Sequence, residues 1–95
     1  PDSIALKIEA RLTLSSTDSL EGVLVIDALI DDDQKLWRGK NLALFKNSDS
    51  VYYAFTTLAI PDNIKEIKKL KVYIWNNNKE VFKVLNVQVQ IKERK

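Results

Sequence analysis

The sequence lacks the two residues on which most catalytic and zinc sites depend. Its 95 residues include no Cys and no His. Without Cys the chain can form neither a disulfide framework nor a thiolate zinc site, and without either residue it lacks the commonest general base and the strongest nucleophile. A carboxylate pair for glycoside hydrolysis stays open because such a pair depends on the fold, but the sequence favours no particular pair. We predict that the chain is not an enzyme and uses no cofactor.

Glycine and an excess of one charge are also scarce. Two Gly residues cannot build a glycine-rich loop that cradles phosphate. The net charge of +2, from 15 basic and 13 acidic residues, is too balanced to indicate a nucleic-acid partner. No apolar run approaches the ~20 residues that cross a bilayer. We therefore expect no nucleic-acid partner and no membrane insertion.

The length and composition suit one globular domain. With 45% hydrophobic and 29% charged residues, the chain is typical of soluble domains. It begins with Pro and not with Met, which favours a fragment or a processed product. We predict a single domain over residues 1–95 that belongs to a larger protein.

Alternation of apolar and polar residues is the main structural signal. It is clearest where Leu70, Val72 and Ile74 alternate with Lys71, Tyr73 and Trp75, because strand side chains point alternately to the two faces of a sheet. The same pattern and β-branched enrichment predict strands at 4–14, 22–30, 36–38, 51–60, 70–75 and 81–91, with 42–45 ambiguous.

Smaller signals set the ends and irregularities of these strands. Gly39 is expected to end the short third strand, 46–50 to be a polar loop, and Pro61 to end the strand before it. A break in alternation predicts a bulge near Val84. Segment 22–30 is apolar at both parities, so it is expected to be an interior strand covered on both sides or a strand that lies against a loop. The sum predicts an antiparallel β-sandwich of six to eight strands with little or no helix.

The C-terminal third resembles a known family. This part of the chain resembles the end of the galactose-binding-like jelly-roll β-sandwich, the architecture of many carbohydrate-binding modules. The resemblance lies in Ile60-Pro61, a polar crossover, Lys71-Val72-Tyr73-Ile74-Trp75-Asn76, a short turn and Val81-Phe82. The likeness extends to C-terminal accessory domains of bacterial surface proteins and membrane glycosyltransferases. It implies a jelly-roll fold, a possible carbohydrate partner and an extracytoplasmic location at the cell surface or on the periplasmic side.

The sequence departs from this family at the start of the last strand. Members often carry an aromatic, an aliphatic residue and then paired aspartates there, whereas this chain has Phe82-Lys83-Val84-Leu85-Asn86. Only the aromatic is shared, which weakens the case for a structural calcium site. Asp31, Asp32 and Asp33 with Asp27 could supply oxygen ligands to calcium, but they lack the alternating spacing of a calcium loop and are expected to form a solvated turn. We predict no metal site.

Aromatic side chains supply the candidate ligand-binding residues. Tyr73 and Trp75 could stack on the C–H faces of sugar rings, with Lys71, Asn76 and Asn77 binding hydroxyl groups. The alternative is that both rings pack beneath a neighbouring segment. Trp37 with Arg38 forms a second candidate, or else Trp37 covers an edge of the core.

Two functions from different classes remain open. The first is a non-catalytic glycan-binding domain, which requires the Tyr73/Trp75 face to be open. The second is a structural or protein–protein interaction module, which could dock on the rest of its own chain or on another protein. Such a module requires a large exposed apolar patch or an unpaired strand edge. A reader of membrane surfaces is a weaker third hypothesis because the basic residues do not cluster. The sequence leaves the oligomeric state unknown.

Overall fold

The fold consists of strands joined by turns. A computed structural model describes residues 4–30, 34–48, 50–61, 64, 66–76 and 79–93. These residues form seven strands and one 3-10 turn at Leu42–Phe45. The strands are β1 (Ile4–Ser15), β2 (Val23–Ile30), β3 (Lys35–Asn41), β4 (Lys46–Ser48), β5 (Val51–Pro61), β6 (Ile67–Trp75) and β7 (Lys83–Glu93).

The strands form two antiparallel sheets. One sheet has four strands in the order β4-β5-β1-β7, and the other has three in the order β3-β2-β6. Every pairing is antiparallel. The two sheets enclose the core between them, which confirms the prediction of an all-β, antiparallel sandwich.

The core lies between the inner faces of β1, β5 and β2. Alternate residues of β1 point inward, and Ile8 and Leu14 have no exposed surface. Two clusters follow one another along the sandwich, the first around Ile8, Ile26 and Ile60 and the second around Leu14, Leu24 and Tyr52. Each cluster draws on both sheets, because alternation along every strand delivers one apolar face to the shared interior.

The central strand of the smaller sheet is buried along its inner face and, on its outer face, at Val25, which bears out in part the expectation that it is covered on both sides. Ile26 lies on the inner face of β2 with 0% of its surface exposed, and Val25 lies on the outer face with 1% exposed. Two further predictions are confirmed: Pro61 is the last residue of β5, and β7 contains a bulge where its pairing with β1 passes from Asn86 to Val84.

Three local predictions are wrong or are resolved. Gly39 does not end β3, which continues to Asn41. The segment 46–50 is not entirely loop, because Lys46–Ser48 pairs with the start of β5 as an edge strand. The ambiguous segment 42–45 is a 3-10 turn that places Leu42 in the core.

The two sheets differ in width by one long strand. The inward-facing residues of β7 follow those of β1 across the ladder, since Val87 pairs with Leu12 and Val89 with Ala10. Leu12 is 6% exposed, whereas Val87 is 55% exposed. The three-stranded sheet ends at β6, so it does not cover the inner face of β7.

Candidate functional site

The outer face of the three-stranded sheet carries three exposed aromatic side chains. Trp37 of β3 is 55% exposed, and Tyr73 and Trp75 of β6 are 40% and 57% exposed. They share one face because Trp37 pairs with Asp27, Tyr73 with Val25 and Trp75 with Val23, all outward positions of β2. The structure therefore brings together aromatic residues from both edges of this sheet, and Tyr73 and Trp75 are open and not covered.

Gly39 explains how Trp37 becomes part of this surface. A Cβ atom built on Gly39 would lie 2.9 Å from Cη2 of Trp37 and 2.8 Å from Cγ1 of Val23. The indole ring therefore lies along β3 over the glycine. Val25, which pairs with both Gly39 and Tyr73, is 1% exposed on the outer face. The register therefore places Val25 between the strand that carries Trp37 and the strand that carries Tyr73.

The other half of the same face is basic. A shallow pocket of about 210 Å³ is lined by Asp27, Leu29, Lys35, Lys69 and Lys71. The register places Lys71 opposite Asp27, and Lys69 and Lys35 on either side of Leu29. Among the described residues that line this pocket, one carboxylate lies with three ammonium groups, an arrangement that attracts anions and is screened by salt. We call the aromatic and basic halves together the outer-face site.

A hydrogen-bonded turn fixes the end of β6 at Trp75. The side chain of Asn76 donates from Nδ2 to the carbonyl oxygen of Glu80 and accepts from the Glu80 amide, both at 2.8 Å. The Glu80 carboxylate in turn accepts from the amides of Glu21 and Gly22. Both the oxygen and the nitrogen of the Asn76 side-chain amide are thus hydrogen-bonded within the turn, so this side chain fixes the turn that follows Trp75.

The remaining predicted site residues lie elsewhere. Arg38 follows Trp37 on β3 and has the opposite parity, pairing with the inward-facing Ile26. It is exposed, but on the other side of the strand from the aromatic rings. Asn77 lies outside the described residues. Ligand contacts by any of these residues stay a prediction.

The acidic turn falls largely outside the described part of the chain. Asp31, Asp32 and Asp33 are not among the described residues. Within the described residues no group of three or more acidic, His or Cys side chains is arranged to hold a metal ion. Asp27, the fourth member of the predicted group, faces the lysines of the outer-face site.

Sequence reasoning missed several members of the site. It did not include Lys35, Lys69, Val25 or Gly39. The pattern within a single strand does not show that these residues lie together. The pairing of β2 with β3 and β6 does, because it places Lys35 and Lys69 on either side of Leu29. Extending β3 beyond Gly39 would have revealed the contact between this glycine and Trp37.

Comparison with known proteins gives no assignment. No family model, curated protein or solved structure matches this chain. In the described part of the chain, no helix has the length and hydropathy needed to cross a bilayer. The function must therefore be argued from the geometry of the site.

Proposed function

We propose that this chain is a non-catalytic accessory domain that binds glycans through the outer-face site. The observation that carries the proposal is the placement of Trp37, Tyr73 and Trp75 on one open sheet face, with Val25 buried between them. Sugar rings present C–H faces that stack on aromatic rings, and sites of this kind combine apolar surface with a few placed polar groups. Rings carried on paired strands are held in place, so little conformational entropy is lost on binding.

The basic half of the site points to glycans with acidic groups. Lys35, Lys69 and Lys71 lie beside the aromatic surface, with Asp27 as the one carboxylate lining the pocket they share. Carboxylate or sulfate groups on a chain of sugars would meet these ammonium groups while the sugar rings stack on the aromatics. The Coulombic part of such binding weakens as ionic strength rises.

The broader setting rests on the sequence resemblance. The likeness of 60–89 to galactose-binding-like sandwiches supports a jelly-roll type of fold and an extracytoplasmic accessory role in a larger bacterial surface or membrane-associated protein. These remain proposals.

The test is a glycan array that includes neutral and acidic oligosaccharides, followed by titration calorimetry. We expect an acidic glycan to bind, and Trp75→Ala to abolish binding with little change in melting temperature, because the ring is 57% exposed. Tyr53→Ala is the matched control, since Tyr53 is 55% exposed on the outer face of the other sheet. A blank array, or equal loss of binding in both variants, would contradict the proposal.

The acidic preference has its own test. Lys71→Ala should weaken binding and reduce its dependence on salt, because one fewer charge contacts the ligand. Lys83→Ala, which removes an exposed lysine at the start of β7, should leave the affinity unchanged. If neutral glycans bound tightly and the affinity did not depend on salt, the aromatic residues would form the binding site and the lysines would not belong to it.

A protein–protein interaction module is the second candidate, and a separate observation favours it. Val84, Val87, Val89 and Ile91 form an inward-facing row on β7 with 43–56% of each side chain exposed. Monomeric proteins rarely leave a contiguous apolar patch of this kind uncovered without a function for it.

A further inference from the structure

Two unpaired strand edges lie next to each other at one side of the sandwich. β7 ends the four-stranded sheet and β6 ends the three-stranded sheet. Between them runs an apolar groove of about 200 Å³, lined by residues of β1, β2, β6 and β7 that include Leu12, Leu24, Val72, Ile74 and Val87. The groove marks the position where a fourth strand of the smaller sheet would lie, over the inner face of β7.

The edge of β7 carries charge only near its ends, at Lys83, Lys92 and Glu93, and it contains the bulge between Asn86 and Val84. Its segment 84–91 contains no charge, no Pro and no Gly. Proteins normally blunt free edges with short strands or lysines. β4 has three residues, β3 carries Lys35, Arg38 and Lys40, and β6 carries Lys68, Lys69 and Lys71. β4 pairs only with Val51 and Tyr52 of β5, so the uncharged remainder of β5 also lies at a sheet edge in the described part of the chain. Its inward-facing side chains are buried, whereas those of β7 are exposed. An uncharged, β-branched edge of this length is a site of strand addition or of aggregation unless something pairs with it.

We propose that a second copy of this chain fills the groove, and that the domain is a two-fold symmetric dimer. The two-fold axis runs parallel to the strands, midway between the layers. It places β7 of each copy beside β6 of the other, so that the two apolar rows of β7 pack face to face. Each sheet then continues from one copy into the next as seven strands.

Strand direction is compatible with this arrangement. The turn at one end of the sandwich joins β6 to β7, so the two strands run in opposite directions. Rotation about an axis parallel to the strands leaves their directions unchanged. The β6 of one copy therefore meets the β7 of its partner as an antiparallel pair. The strands have comparable lengths of 9 and 11 residues.

β7 extends beyond the edge of the smaller sheet, and this difference in width between the two sheets favours a second copy as the partner. A copy that joined β6 to β6 would bring its own four-stranded sheet against the projecting β7. A copy turned about the strand axis instead presents its own projecting strand, which fits the space. The side chains of the row are 43–56% exposed, and the two strand pairings would add main-chain area toward the roughly 800 Å² that each partner buries in a stable interface.

This inference does not rest on the glycan proposal. It uses the inner face of β7 and the free edge of β6, whereas the glycan proposal uses the outer face of the smaller sheet. Failure of one leaves the other standing.

Sedimentation velocity over a range of concentrations tests the dimer. We expect the unmodified chain to sediment as a dimer, and Val87→Lys to raise the dimer dissociation constant at least tenfold because it places a charge within the apolar row. Thr13→Lys is the matched control: it adds the same charge to the outward-facing position of β1 that pairs with Asn86, away from the free edge. We expect that variant to remain dimeric.

A second variant covers the case in which Val87→Lys fails to fold. Val87→Thr keeps the shape and the strand propensity of the side chain and should also weaken the dimer, with folding checked by circular dichroism. Hydrogen exchange adds an independent measurement, in which amides of β6 and β7 become protected as concentration rises. A monomer across the whole range, a dimer broken equally by Thr13→Lys, or assembly into larger fibres would overturn the proposal.

Discussion

β1 and β7 are neighbours with the same sequence pattern and opposite surroundings. Both are long strands with alternate aliphatic residues on the inner face of the same sheet. Ile8 of β1 pairs directly with Ile91 of β7. The first side chain is 0% exposed and the second is 56% exposed. The same residue type, in the same sheet and on the same face, is core in one strand and surface in the next.

The comparison separates two kinds of information. Alternation along a strand determines which side chains share a face. Whether that face is buried depends on the number of strands in the opposite sheet, which is set by pairing between distant segments. Here the smaller sheet has three strands, so β1 is covered and β7 projects beyond it. Substitutions on β1 should therefore change the stability of the fold more than equivalent substitutions on β7.

Truncation of the paired isoleucines gives the largest contrast. Ile8→Ala should lower the free energy of unfolding by about 2–5 kcal/mol, because it opens a cavity in the core. Ile91→Ala should lower it by less than about 1 kcal/mol when the chain is studied as a monomer, since surface substitutions have small effects. Urea denaturation at low protein concentration measures both. Equal losses would show that β7 is covered in solution even in the monomer.

Local patterns predicted much of the fold. Six of the seven described strands, the bulge near Val84 and the burial of Val25 on the outer face of β2 follow from alternation and its interruptions, whereas β4 does not. The continuation of β3 through Gly39 did not follow, because a glycine normally weakens a strand. In this sheet the Trp37 ring lies over the glycine and supplies the packing that it lacks.

The candidate site was predicted in outline only. Tyr73 and Trp75 were expected on one face of one strand, and they lie there. That Trp37 joins them on the same face, and that Arg38 does not, depends on how β3 is registered against β2. Asn76 has the composition of a ligand contact, but its hydrogen bonds to Glu80 lie within the turn. Pairings of this kind connect residues far apart in sequence and leave no periodic signal.

The second test concerns polar groups on the same inner face. Ala10 pairs with Thr56 on one side and with Val89 on the other. The hydroxyl of Thr56 is buried and has no hydrogen-bond partner among the described residues, whereas Val89 is 43% exposed. Thr56→Val should therefore raise the free energy of unfolding by about 1 kcal/mol or more, because an unsatisfied buried group is removed.

Val89→Thr is the reciprocal substitution. It introduces the same hydroxyl on the uncovered side of Ala10, where water can hydrate it, so a monomer should lose no more than about 0.5 kcal/mol. Thermal or urea unfolding measures both variants. A destabilised Thr56→Val protein would mean that the hydroxyl is hydrogen-bonded in solution.

The smallest expected effect on stability comes from an ion pair between β1 and β7 on the outer face of the four-stranded sheet. Glu9 of β1 lies 3.1 Å from the ammonium of Lys92 on β7 and 3.6 Å from that of Lys7, with its side chain 8% exposed. The hydrogen bond from Lys92 lowers the pKa of Glu9 below its usual value of 4.5; partial burial opposes this shift, and the charges of Lys92, Lys7 and Arg11 add to it.

The sign of the pH effect follows from this lowered pKa. Near its usual pKa the unfolded chain binds more protons at Glu9 than the folded chain does, so folding is favoured as the pH rises. The stabilisation by Glu9 is complete above the unfolded pKa of about 4.5 and is lost as the pH falls through the lower folded value. The ion pair therefore adds to the pairing of β7 with β1 at neutral pH, and this contribution is lost in acid.

Urea unfolding at a series of pH values measures this contribution. Glu9→Gln and Lys92→Met should each flatten the acid side of the curve of unfolding free energy against pH, because each removes the interaction that separates the two pKa values. Glu93→Gln changes a carboxylate at the end of the same strand and should leave the slope unchanged. If Glu9→Gln retained the slope of the unmodified chain, another carboxylate would be responsible, and β7 would be held to β1 by its backbone hydrogen bonds and not by charge.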